Sequence, residues 1–146
     1  MIIIGSDHAG YKLKELIKGY LSEIGENYKD LGTSSEESCD YPVFAGKVAK
    51  EVVSTGNAKG ILVCGSGIGV SIAANKVKGI RAALCMSSEL AEMSRRHNDA
   101  NILCLGARYI DFEAAKSIIK IFLSTEFEGG RHERRVQEIK DIEENN

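Results

Sequence analysis

The chain has 146 residues and a mass of 15.9 kDa, enough for one domain whose core needs no metal or disulfide staples. Hydrophobic residues make up 43% and charged residues 27%, a globular balance that excludes a disordered or low-complexity chain. Nineteen Lys and Arg against 21 Asp and Glu give a net charge of −2, so bulk charge points to no nucleic-acid partner, and no apolar run nears the roughly 18 residues that span a bilayer.

Short β-branched runs alternate with helical patterns along the chain. Met1–Ile4 reads as a strand that starts at once, with no secretory signal ahead of it. Leu13, Leu16, Ile17, Tyr20, Leu21 and Ile24 then recur on one helix face, and Gly25 stands where a C-cap belongs. Tyr28–Leu31 is a weak second strand, and Thr33–Asp40 a polar loop. Pro42 suits the first position of a second helix, with Phe44, Ala45, Val48, Ala49, Val52 and Val53 as its stripe and Gly56 to close it. Gly60–Cys64 is a near-continuous apolar strand, the kind buried on both faces of a parallel sheet. A glycine-rich turn and a short helix near Val70–Lys76 follow. Ile80–Cys85 is a fourth strand, Ser87 or Ser88 caps a helix running towards His97, and Ile102–Leu105 is a fifth strand. Asp111 caps a helix carrying Phe112, Ala115, Ile118, Ile119 and Phe122. Beyond Gly129-Gly130, Val136, Ile139 and Ile142 form a stripe too thin for a core of its own. A helix over about 131–143 is expected to lie across the domain or across another subunit.

Five strands alternating with helices predict a three-layer α/β fold with a parallel sheet, in one domain over residues 1–146. Ligands of such sheets bind just past the carboxyl ends of the strands. Four cysteines, Cys39, Cys64, Cys85 and Cys104, form no CxxC pair and point to a reduced, cytoplasmic protein; Cys85 and Cys104 read as small buried hydrophobes.

The strand ends carry the chemistry. Asp7 and His8 follow the first strand between glycines; they either cap the first helix or bind substrate, Asp7 accepting from hydroxyls and His8 donating to an anion. After the third strand comes Cys64-Gly65-Ser66-Gly67-Ile68-Gly69-Val70-Ser71, which matches neither a P-loop nor a dinucleotide fingerprint. Three alternate glycines let amide hydrogens converge on negative charge at a helix N-terminus. Cys64, at the mouth of that turn, is a core thiol or a thiolate acting as nucleophile or base. His97-Asn98 ends a helix, where a His also serves the helix dipole. Arg108 follows the fifth strand. Arg131 and Arg135 share a helix face beside His132 and Arg134, either as a phosphate grip or as a solvated face paired with Glu133, Glu138 or Asp141.

Taken in order, Gly5-Ser6-Asp7-His8-Ala9-Gly10, Asp40-Tyr41-Pro42, Cys64–Gly69, Ser71–Lys76, Gly79–Ala82, Arg96–Asp99 and Glu128–His132 closely resemble the type B ribose-5-phosphate isomerases of the ribose/galactose isomerase family, over nearly the whole chain. The resemblance implies reversible conversion of ribose 5-phosphate to ribulose 5-phosphate through an enediolate, in the pentose phosphate pathway, without metal or cofactor. It implies a Rossmann-like α/β/α fold with a five-stranded parallel sheet, and a homodimer or dimer of dimers whose sites draw on two subunits. Cys64 would be the base moving the proton between C2 and C1. Gly65, Ser66, Gly67, Ile68, Gly69 and Ser71 would stabilise the enediolate oxygens. His97 would open the furanose ring with Ser66 and Asp7. Tyr41 would line the sugar site, Asn98 would bond a hydroxyl, and His8, Arg108, Arg131 and Arg135 would hold the phosphate. His97, Asn98 and Arg108 are expected from the neighbouring subunit. Some relatives carry Thr at the place of Ser66. Others use a Glu after the glycine loop, where this chain reads Ala73-Ala74-Asn75-Lys76, so the cysteine type is implied.

Three other readings stay open from the residues. A relative acting on allose or galactose 6-phosphate differs from the first reading by one carbon. A non-catalytic sugar-phosphate sensor explains the glycines and arginines but not the cysteine. A thiol redox protein lacks a resolving cysteine nearby.

Overall fold

The middle strands send apolar side chains to both faces of one sheet, and this sets the architecture. In the computed structural model, which describes residues 1–146, β1 (Ile2–Ser6) and β5 (Ile102–Gly106) are buried throughout, and β3 (Lys59–Cys64) is buried from Gly60 onwards. β2 (Tyr28–Asp30) and β4 (Ala82–Leu84) form the edges. All pairings are parallel, in the order β2-β1-β3-β5-β4.

Side-chain alternation divides the core in two. Ile2, Ile4, Ile61, Val63, Leu103 and Leu105 face helices α1 (Tyr11–Glu23), α4 (Ser88–Asn98) and α5 (Phe112–Ser124). Ile3, Leu62, Cys64, Ile102 and Cys104 face α2 (Tyr41–Ser54) and α3 (Ile68–Ala74). A final helix, α6 (Arg131–Glu144), buries His132 and Val136 against the domain but leaves Ile139 and Ile142, the rest of its stripe, exposed.

The chain leaves β1 towards β2 and leaves β3 towards β4, in opposite directions across the sheet. The carboxyl ends of β1 and β3 therefore flank the switch point, where a crevice opens for ligands. The motifs after Ser6 and Cys64 are those two ends.

Several boundaries differ from the pattern reading. The expected strand Ile80–Cys85 shortens to Ala82–Leu84, because the Arg81 amide donates to the Asn101 side chain at 2.8 Å. The helix placed near Val70–Lys76 starts two residues earlier, at Ile68, and Pro42 is the second helical residue because Tyr41 is the first. Leu16, Ile24 and Val53, placed on buried stripes, are exposed: Leu16 and Val53 lie on the flanks of their helices, outside the face that meets the sheet, and Ile24 falls just past the end of α1. Conversely, Lys14 is fully buried, with its Nζ 2.6 Å from Asp30 Oδ2.

Candidate active site

At the end of β3 the chain turns sharply. Gly67 has φ +78, and a Cβ there would meet Leu84 at 2.5 Å, so this position requires glycine. The turn brings the Gly67 amide to 3.1 Å from Cys64 Sγ, to which it donates. An amide hydrogen aimed at sulfur at the mouth of a helix stabilises negative charge on that sulfur. Cys64 is buried, as are Cys85 and Cys104. Burial pushes the Cys85 and Cys104 thiols up, which suits them to a structural role.

Helix geometry leaves the first amides of α3 without intrahelical acceptors. The Ile68 amide donates to Ser66 Oγ at 3.2 Å. Gly69 lies under the half-exposed ring of Tyr41, so close that a Cβ would come within 2.5 Å of it. Ser71 follows on the next turn and is partly exposed.

The neighbouring strands supply the walls. Arg108 donates its amide to the Gly65 carbonyl at 3.0 Å, and a Cβ on Gly65 would come within 3.0 Å of its guanidinium. Arg108 thus sits beside the Cys64 loop of its own chain. Just past β1, buried Asp7 accepts the Gly10 amide at 3.1 Å, so one of its oxygens shapes the loop; Gly10 itself is the N-cap of α1, and neither Asp7 nor His8 caps the helix with its side chain. His8 Nδ1 accepts the Cys39 amide at 3.2 Å. That bond places the neutral ring's proton on Nε2 and makes this nitrogen the donor. No sequence signal marks Cys39 for this service, because the partners are 31 residues apart.

The remaining candidates lie elsewhere. Helix α4 starts past the carboxyl end of β4 and runs back to the amino end of β5, and its 11 residues span about 16 Å. His97 and Asn98, in its last turn, therefore stand at the opposite end of the sheet from Cys64 of the same chain. His132 stacks on His97 with ring centroids 4.2 Å apart and planes 13° from parallel, so α6 and its exposed Arg131 and Arg135 belong with this second group.

The second group is anchored by a clamp that no periodicity reveals. Asp99 takes the left-handed conformation, φ 46. Arg81 Nε donates to the Asn98 carbonyl at 2.8 Å, and its Nη2 to the Asp99 carbonyl at 2.9 Å. Buried Arg95 donates to Asp99 Oδ1 at 2.9 Å and to the Ala100 carbonyl at 2.6 Å. A cavity of about 610 Å³ lies between α6 and the start of β4, lined by Ile80, Arg81, Asn98, Ile139 and Ile142 among others, with no cysteine or histidine.

Comparisons with known proteins give one consistent result. A family model described as Ribose/Galactose Isomerase matches residues 2–139. Ribose-5-phosphate isomerase B of Escherichia coli strain K12 is 46% identical over 143 residues, which are 98% of this chain and 96% of that protein. The structure of Clostridium thermocellum ribose-5-phosphate isomerase B is 52% identical with a TM-score of 0.96, over 99% of this chain and 97% of that one. The structure of the Mycoplasma genitalium enzyme with bound ribulose-5-phosphate is 42% identical with a TM-score of 0.95, again over 99% and 97%.

Proposed function

The chain belongs to the ribose/galactose isomerase family, and from that premise we propose that it interconverts ribose 5-phosphate and ribulose 5-phosphate with Cys64 as the base, the whole chain acting as one isomerase domain. The observation that carries this reading is the placement of Cys64 at the switch point, its sulfur met by the Gly67 amide and Arg108 beside its loop.

Ring opening comes first. The anomeric O1 loses its proton, the C1–O4 bond breaks as C1=O1 forms, and O4 takes a proton. His97 serves as the acid/base, with Ser66 and Asp7. The Cys64 thiolate then removes the C2 proton, the freed electron pair forms the C1–C2 double bond, and O1 becomes the enediolate oxygen. The loop amides over Gly65–Gly69 and the Ser71 hydroxyl stabilise that charge. The proton returns from sulfur to C1, the O2 proton moves to O1, and C2=O2 completes the ketose. Tyr41 lines the sugar site and Asn98 bonds a hydroxyl. His8, through Nε2–H, binds the phosphate with Arg108, Arg131 and Arg135.

The separation of Cys64 from His97, Asn98, Arg131 and Arg135 within one chain supports a homodimer, or a dimer of dimers, in which the second group of one subunit completes the first group of its partner. The exposed Ile139 and Ile142 on α6 fit such an interface. Arg108 joins the Cys64 side in this arrangement, rather than arriving from the partner. Four free cysteines support a cytoplasmic location.

Turnover of ribose 5-phosphate set against allose 6-phosphate and galactose 6-phosphate tests the reading. We expect the five-carbon substrate to win on kcat/KM and Cys64→Ala to abolish its turnover. A preference for a six-carbon phosphate would favour the second reading of the same site, and no turnover of any would overturn both.

A further inference from the structure

His132 has no part in the mechanism above, yet it is the most constrained histidine in the chain. It is 6% exposed, and its Nε2 is buried without a hydrogen-bond partner, the nearest carboxylate oxygen, on Glu128, standing 3.9 Å away. An imidazole buried at the cost of a hydrogen bond needs a reason. Its ring face supplies one, lying 4.2 Å from the His97 ring and within 13° of parallel. One backbone bond joins the two segments, and a second sets the local turn that starts α6. The Glu128 amide donates to the Arg96 carbonyl at 3.1 Å, pinning the approach to α6 against the last turn of α4, and the His132 amide donates to the Gly129 carbonyl at 3.1 Å.

His97, His132 and Glu128 also bring possible ligand atoms within 4.8 Å of one another. A metal ion must lie close to the plane of each imidazole that binds it, and near-parallel rings stacked face to face cannot both meet that condition with one ion. The arrangement is a stack rather than a metal cage.

We infer that His132 is a positioning residue whose imidazole face fixes the plane of the His97 ring and ties it to the helical turn that carries Arg131. This rests on the reading of His97 as the ring-opening group. A partly exposed imidazole at a helix end otherwise samples several side-chain rotations, and ring opening needs one nitrogen aimed at the ring oxygen. The electron-rich face of a neutral ring also suits a partner that becomes positively charged during the cycle. Burial, followed by the nearby His97 and Arg131, lowers the His132 pKa and so favours the neutral form.

The test uses His132→Leu, which removes the flat face, and His132→Phe, which keeps it without the nitrogens. In the assembled protein, the ring-proton NMR shifts of His97 should lose their ring-current displacement in the Leu variant and keep it in the Phe variant. With ribose 5-phosphate, His132→Leu should lower kcat by roughly tenfold with KM within about twofold, and His132→Phe should recover most of the loss. Solvent-deuterium exchange at C1 of ribulose 5-phosphate, which needs no ring opening, should stay near wild type in both. Unchanged His97 shifts in the Leu variant, or a Phe variant as slow as Leu, would overturn the positioning role. If wild type fails to turn over ribose 5-phosphate, the proposed function falls, while the NMR comparison still decides whether His132 orients His97.

Discussion

The amide nitrogen of Gly67 stands 3.1 Å from the sulfur of Cys64 and donates its hydrogen to it, across a turn that only glycine can make. No other cysteine is so placed: Cys85 and Cys104 are sealed in the core, and Cys39 lies beside His8. Cys64→Ala should therefore abolish isomerisation while sugar-phosphate binding persists, and Cys64→Ser should be nearly as inactive, since a hydroxyl is a far weaker base at neutral pH. Turnover with parallel binding measurements checks this, and a loss of only a few-fold in the Ala variant would remove Cys64 from the mechanism.

Arg131 and Arg135 should each contribute about 1.5–3 kcal/mol to phosphate binding, seen as a raised KM in the Ala variants. Unphosphorylated ribose should react poorly with wild type and be almost insensitive to either change. Equal losses on both sugars would mean that the arginines act on the fold instead.

Gly69→Ala should drive a methyl group into the Tyr41 ring. The ring is half-exposed and can swing aside, so the cost in stability should be at the low end of the about 1–3 kcal/mol usual for overpacking. Activity should fall further than stability if the displaced ring borders the sugar, as proposed. Kinetics set beside thermal unfolding separates the two.

Acid should weaken the fold through Asp30. Burial acts to raise its pKa, but the Lys14 and Lys18 ammonium groups and the Gly32 amide outweigh it and hold the carboxyl below its ordinary value of 3.8. A lowered folded pKa gives stability that is present above about pH 4 and lost as the pH falls through the lowered value. Asp30→Asn should remove that acid dependence and cost about 1–3 kcal/mol at neutral pH, since it strips buried Lys14 of its closest partner while Glu15 remains at 3.1 Å. Urea unfolding of both proteins across the acid range checks it.

Where local chemistry governs, the sequence was readable. The apolar runs of β1, β3 and β5 announce strands buried on both faces, Ser87 and Asp111 do cap α4 and α5, and the glycines after Cys64 mark the turn. What escaped depends on residues far apart in the chain. Lys14 looks like a surface lysine until Asp30, 16 residues on, is seen beneath it. The burial of His132, the left-handed Asp99 and the bond from Cys39 to His8 are set by packing between elements, and no periodic pattern encodes them. Helical periodicity misled for the converse reason, since Leu16, Ile24 and Val53 match a helical stripe yet stay about half-exposed.

The helix α4 spans the depth of the sheet and so keeps His97 away from Cys64 of its own chain. If two subunits each lend half of a site, damage to the halves is separable. A mixture of Cys64→Ala and His97→Asn chains, each inactive alone, should regain activity once subunits exchange, because every mixed pair holds one undamaged site and one doubly damaged site. Random pairing should restore roughly a quarter of the wild-type sites. Two defective alleles would then rescue one another in a cell, while a single allele carrying both changes would stay silent.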